Sequence, residues 1–259
     1  MLAKQNQRLS ISIDELRRTD PTLAKFVTKS PIDAVSMFEG ELDRAIKEMT
    51  DDAGKGANEK QQAATNDRAF PTKSKRYYIN FEGNFGQNHV TPRGLKSNLV
   101  NQLVSVRGIV TRMGLVKPMI QTSVHYCEAT KKGEVRHYDD NTNLAEMGGD
   151  HQRNNNGTET FPVKDKDGNT LTHEYGYCLY KDSQVVTIQE MPESAPPGQL
   201  PRSVQVILQN DLVDSIKPGD RVEVTGVFRA APNVHMGVTR GTFRTQIVAT
   251  GITSLLAEK

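Results

Sequence analysis

Between Phe228 and Thr245 the chain carries Arg229, Arg240 and Arg244 together with His235, and no acidic side chain at all. Cations in such a run can neutralise phosphates and release counterions, which gives sequence-independent, salt-sensitive binding to nucleic acid. The bland alternative is the solvated edge of a sheet. A second basic pair, Arg112 and Lys117, flanks "MGLV". Cys127 follows His125 by two residues, on one face of an expected strand, which is half of a nucleophile–base arrangement. No third group to orient the imidazole is evident, so hydrolase chemistry is not expected. There is also no Gly-x-x-x-x-Gly-Lys-Ser/Thr loop to cradle phosphates; "AGKGAN" has a Gly-Lys pair without the hydroxyl that should follow. No catalytic residue is assigned.

The whole molecule does not announce a nucleic-acid binder. Thirty-three basic against thirty-one acidic side chains leave a formal charge of +2, so any such role must come from where the charges sit. No apolar run is long enough to span a bilayer, and "MLAKQNQRLS" lacks the apolar stretch of a secretory signal, so no membrane role is expected. Two cysteines in 259 residues are not a disulfide framework and suit a reducing compartment, the cytosol or nucleus.

The elements that must hold these groups follow from periodicity. Residues 1–98 carry helical signals: Asp14 or Thr19 could cap short turns, and Ser30-Pro31 opens a helix whose Val35, Phe38, Leu42, Ile46 and Met49 share one face. Positions 50–69 lack apolar periodicity and read as a flexible linker. "YYINFEG" reads as a strand, followed by a short helix near Thr91–Ser97. From residue 99 the period becomes two. "LVSVRGIVTRM", "RSVQVILQ" and "RVEVTGVFR" alternate apolar with polar, each expected to bury one face. Gly108 and Gly226 interrupt β-branched runs where a short sheet would bend into a barrel, and both Phe228 and Phe243 read as barrel core. "VFRAAP" and "GTFRTQIV" flank "NVHMGVT" as a hairpin with a projecting tip. Residues 125–180 are too long and polar for a loop and read as a subdomain inserted into the barrel. The expected class is α+β: a helical bundle at 1–98, then an OB-fold barrel from 99–124 and 181–259.

Longer stretches carry a resemblance. "VSVRGIVTRMGLVKP", "VVTIQEMPESAPPGQLPRSVQVILQNDLVDSIKPGDRVEVTGVFR" and "GTFRTQIVATGI" resemble the amino-terminal region of minichromosome maintenance (MCM) proteins, subunits of the hexameric replicative helicase. The ordered series Gln-Glu-x-Pro-Glu, Gly-Gln-x-Pro-Arg-Ser, Asp-Leu-Val-Asp and Pro-Gly-Asp-Arg-Val makes accident implausible. "SVHYCEATKK", "HEYGY" and "YKDSQ" are similar to the third branch of the eukaryotic set. The resemblance implies a nuclear role in replication, sister MCM subunits in a hetero-hexameric ring, and contact with single- and double-stranded DNA. It makes the stretch containing Arg229, His235, Arg240 and Arg244 a hairpin pointing into the ring, and sets Arg112 and Lys117 facing single-stranded DNA. ATP would be used only by a domain these residues do not contain. The rival reading is a free-standing single-strand-binding OB protein.

The resemblance also implies a zinc-ribbon-like insert, usually closed by two Cys-x-x-Cys pairs around one zinc. This chain departs from that. Cys127 stands where the first pair would begin, but Thr130 occupies the next ligand position, and Cys178 falls in an expected strand. His125, His137, His151 and His173 show no ligand spacing, so an insert without metal is expected, and no cofactor. Finally, Pro192, Pro196, Pro197 and Pro201 stiffen "QEMPESAPPGQLPRS" and bar it from pairing as a strand. The resemblance makes this a loop that conveys DNA engagement to the ATPase tier, with Glu190, Gln199 and Arg202 as its expected contacts.

Overall fold

The structure, a computed structural model, describes residues 7–53, 77–137, 164, 168–235 and 238–255, with backbone only at 50–53, 137, 232–235 and 238–240. Strand β1 (Arg8–Ser12) leads into helices α1 (Ile13–Thr19), α2 (Pro21–Lys29) and α3 (Pro31–Ala53), and β2 (Tyr78–Glu82) returns to pair in parallel with β1. The helices agree with the sequence expectation, including the start of α3 at Ser30-Pro31, but the short-turn caps expected at Asp14 and Thr19 do not. Ser12 Oγ accepts from the Glu15 N–H, and Asp20 accepts from Thr22 and Leu23, with Pro21 as first helical residue. Asp14 instead accepts the Asn84 N–H, and the Thr19 hydroxyl donates to carbonyls of its own helix. Helix α3 buries Val35 and packs Phe38 and Leu42 inward, while Met49, expected on that face, is exposed beyond the body. The expected linker begins inside α3 and otherwise lies outside the described residues.

Around the barrel run β4 (Leu103–Met113), β8 (Leu179–Gln189), β9 (Ser203–Gln209), β11 (Val238–Ser254) and β10 (Arg221–His235), which pairs back onto β4. All neighbours are antiparallel except β9 and β11, which are parallel. Numbered within the barrel, the order is 1-2-3-5-4-1 with strands 3 and 5 parallel, an OB barrel. Val106, Val110, Ile188, Val206, Leu208, Val224, Phe228 and Ile247 fill it. A second core joins it to the helices through Ile13, Val27, Ile79, Phe81 and two residues facing out of the barrel, Leu103 and Val227. The start of β4 is therefore buried on both faces rather than one. Both expected bends are sites of close approach: a Cβ at Gly108 would strike Ile188 and the Gln189 carbonyl, and one at Gly226 the Val248 carbonyl. The short helix expected near residue 91 is two single 3-10 turns, Pro92–Gly94 and Ser97–Leu99, reached through β3 (His89–Val90).

Strand β5 (Lys117–Cys127) leaves the barrel paired with β8 and then carries β6 (Lys132–His137) and β7 (Leu171–His173). The expected divisions at 124/125 and 180/181 thus fall inside continuous strands. Residues 146–160, His151 and the His137 side chain lie outside the described residues. The insert is anchored by His125, 1% exposed, whose Nε2 is 2.8 Å from Ser123 Oγ and whose Nδ1 is 3.5 Å from that of His173. Burial first, then the facing His173, and to a lesser degree Arg136 against an opposing pull from Glu134, hold the His125 pKa below its usual 6.5. An imidazole kept neutral in the fold, but free to protonate when unfolded, costs nothing above about pH 6.5 and withdraws stability as pH falls below it. The thermal midpoint should therefore drop between pH 7 and 5.5, and His125→Gln should flatten that slope relative to the parent chain; equal slopes would contradict the assignment.

Candidate nucleic-acid interface

Strand β4 changes face at a bulge. Val110 pairs with Ile188 in the core, yet Arg112, not Thr111, pairs with Thr187, so the extra residue turns Arg112 outward. Thr111 is held beside it by donating to the Thr187 carbonyl at 3.1 Å. From Arg112 the register then runs across the barrel without a break: Thr187 opposite Gln205, Gln205 opposite Gln246, Gln246 opposite Arg229. Paired residues share a face, and the neighbours of this row, Val186, Val206, Ile247 and Phe228, point into the core. An outer band of arginine, hydroxyl, two amides and arginine thus crosses five strands, roughly 19 Å at the usual strand spacing of about 4.8 Å. Its end residues are 117 positions apart in sequence. Arg112 and Gln205 are exposed, and Thr187, Gln246 and Arg229 half-buried.

The hairpin grows from one end of this band. Strand β4 accompanies β10 only to Val227, and β9 accompanies β11 only over Gln246–Val248, whereas β10 and β11 stay paired out to His235 and Val238. A two-stranded ribbon about seven residues long therefore projects beyond the barrel, roughly 23 Å. Its register jumps between Pro232 and Asn233, leaving Gly241 and Thr242 without partners in β10. Arg244 is exposed opposite Ala231, two pairs beyond Arg229 and so on the banded face. The backbone places Arg240 opposite Asn233 and His235 at the last pair; their side chains lie outside those described. Phe243, expected in the core, is 56% exposed. It keeps the inward phase of β11, but at a height where the barrel has ended and there is no interior. Lys117 is exposed at the foot of β5, separated from Arg112 by a turn that Gly114 closes through its N–H to the Val185 carbonyl, 2.8 Å. It flanks the band without joining the row.

The proline loop leaves the same end of the barrel as the ribbon, from the end of β8 and the start of β9, and a residue outside it organises it. Glu190 is 2% exposed, and Arg93 Nε lies 3.2 Å from its Oε2. The same guanidinium donates to Gln199 Oε1 and, at 3.1 Å, to the Leu200 carbonyl. Glu190 is therefore no contact group: its carboxylate is consumed inside the base of the loop, where it also accepts the Arg202 N–H at 3.4 Å. Gln199 is exposed but held by Arg93, and the Arg202 residue is exposed. Arg93 had no signal in the sequence, standing 97 residues from Glu190 in a turn with no motif.

The zinc site that the resemblance implies would have to be built in the insert from His125, His173 and Cys178. His173 meets His125 through Nδ1, at 3.5 Å, and Cys178 Sγ through the opposite nitrogen, Nε2, at 3.7 Å. One ion cannot bind both nitrogens of a single imidazole, and the thiol is already engaged by the Val124 N–H and the Glu174 carbonyl. Among the described residues no three His, Cys, Asp or Glu side chains converge on a metal position. Among the described residues the donor set does not fit a tetrahedral site.

Comparison with known proteins agrees with this architecture. The family model of the MCM OB domain matches residues 89–232, more than half of the chain. The chain is 39% identical over 258 residues to the zygotic DNA replication licensing factor mcm3 of Xenopus laevis, covering all of this chain and 29% of that protein. It is 40% identical over 258 residues to DNA replication licensing factor Mcm3 of Drosophila melanogaster, covering 28% of it. For the mcm3 licensing factor of Schizosaccharomyces pombe the figure is 38% over 255 residues, 98% of this chain and 27% of the other. The chain spans under a third of the length of these relatives. With that family model matching more than half of its length, the chain is a member of the MCM family.

Proposed function

We propose that the chain is the amino-terminal collar of an MCM helicase subunit acting in nuclear DNA replication, in origin licensing and unwinding. It assembles with sister subunits into a hetero-hexameric ring, encircles DNA with its hairpin directed inward, and couples DNA engagement to an ATPase domain lying outside these residues. In this reading the chain itself performs no catalysis. The observation that carries it is the banded face: five strands present a continuous cationic and amide row that leads onto a projecting ribbon with no acidic residue. Arginines at the ends would take phosphates, while Gln205, Gln246 and Thr187 offer hydrogen bonds without fixed charge, which suits binding indifferent to sequence. With about four phosphates engaged, affinity for a single strand should fall with salt at a logarithmic slope near −3.

Two measurements test this. Anisotropy of a labelled oligothymidylate at low salt should show weak binding by the chain alone, and Arg229→Glu, Arg240→Glu and Arg244→Glu together should weaken it by roughly tenfold or more. Gln205→Glu should weaken it too, because the row lies on the path; unchanged affinity in both variants would remove the interface. Tight binding by the isolated chain would favour the free-standing single-strand-binding protein instead.

We infer that the insert stands in for a zinc ribbon and folds without metal, held by β5–β8 pairing and the Ser123, His125, His173 and Cys178 contacts. Elemental analysis of protein purified without added metal should find well under one zinc per chain; a stoichiometric ion would overturn this.

A further inference from the structure

The proline loop spends its polar groups on itself and leaves one large apolar side chain in water. Leu200 is 88% exposed, yet its backbone carbonyl is held by the Arg93 guanidinium. Gly198 turns the chain at φ +78°, the Gln199 N–H donates to the Pro196 carbonyl at 3.3 Å, and the Glu190 N–H closes the loop base on the Arg202 carbonyl at 2.9 Å. Arg93 then fixes the Leu200 carbonyl directly, and is itself fixed, because Pro92 is buried and β3 pairs with β4. The same loop walls a largely apolar groove of about 350 Å³ lined by Ile109, Pro192, Ala195, Pro197 and Pro201.

We propose that Leu200 is the contact residue of this loop, an apolar knob for a socket on another protein surface, and that Arg93 is the positioning residue that presents it. The proposal rests on the coupling role given above and names its chemistry. A leucine held in water forgoes the gain of burying its side chain, and a loop ordered in advance loses little entropy on docking. The surroundings suit a protein partner and not a phosphate chain. Arg93 is neutralised by Glu190, Glu193 is paired with Arg221 at 2.7 Å, and Arg202 is the only cation from Gln189 to Ser203.

The test uses the full-length subunit assembled with its sister subunits, reading DNA-stimulated ATP hydrolysis, and this chain alone, reading amide exchange over residues 191–202. Leu200→Asp should leave exchange and oligonucleotide affinity at parental values and cut the stimulation at least fivefold. Arg93→Ala should speed exchange across the loop at least tenfold and lose the stimulation, with Arg93→Lys intermediate. The Arg93→Ala/Glu190→Gln double variant, which leaves no buried unpaired charge, should exchange as fast. Stimulation that survives Leu200→Asp but is lost when residues 192–201 are replaced by a Gly-Ser segment overturns the role of Leu200 and keeps that of the loop. Stimulation that survives both removes the coupling itself. Parental exchange in the double variant overturns the role of Arg93.

Discussion

Closure of the sheet between β4 and β8 is the constraint on which the rest of the molecule depends. The two strands approach so closely that Gly108 has no room for a Cβ against Ile188 and the Gln189 carbonyl. That approach turns a sheet into a barrel, encloses the core of Val106, Val110, Ile188 and Phe228, and fixes the angle at which both ends of β8 leave it. One end runs into the insert alongside β5, and the other feeds the proline loop. The bulge at Thr111 lies on the same seam, so the choice that sends Val110 inward and Arg112 outward is made where the barrel shuts.

Function in this account is a matter of position rather than of reactive groups. Arg112, Thr187, Gln205, Gln246 and Arg229 are ordinary residues until the parallel pairing of β9 with β11 lines them up. The ribbon beyond Phe228 then extends one face of the barrel into space. At the same end of the barrel Arg93 links the segment entering from the helical subdomain to the proline loop, so that the loop is tied to the helices through β3 and to the band through β4 and β8.

Much of the fold was legible because its strands alternate and its helices are spaced at three and four residues. The illegible parts share one cause, long-range partners. Strand β1 is five residues long and is a strand only because β2 returns to it about seventy positions later. Phe243 keeps the alternation of β11, and nothing local says that the barrel ends before it. Glu190 reads as an exposed acid beside prolines, whereas Arg93 makes it a buried one. The basic residues of the candidate site were visible individually; the amides between them were not, since their alignment is a product of register across strands distant in sequence. Ser12 both ends β1 and caps α1, a double duty that composition does not reveal.

The central claim is that nucleic acid lies along the band and the ribbon of one barrel face. Hydrogen–deuterium exchange with and without a single-stranded oligonucleotide tests it most directly. Protection should appear together in peptides covering residues 109–117 and 226–247, with the helices of residues 13–53 and the insert around His125 unchanged. Protection confined to the insert or the helices, with the band and ribbon exchanging as in the free chain, would contradict the account.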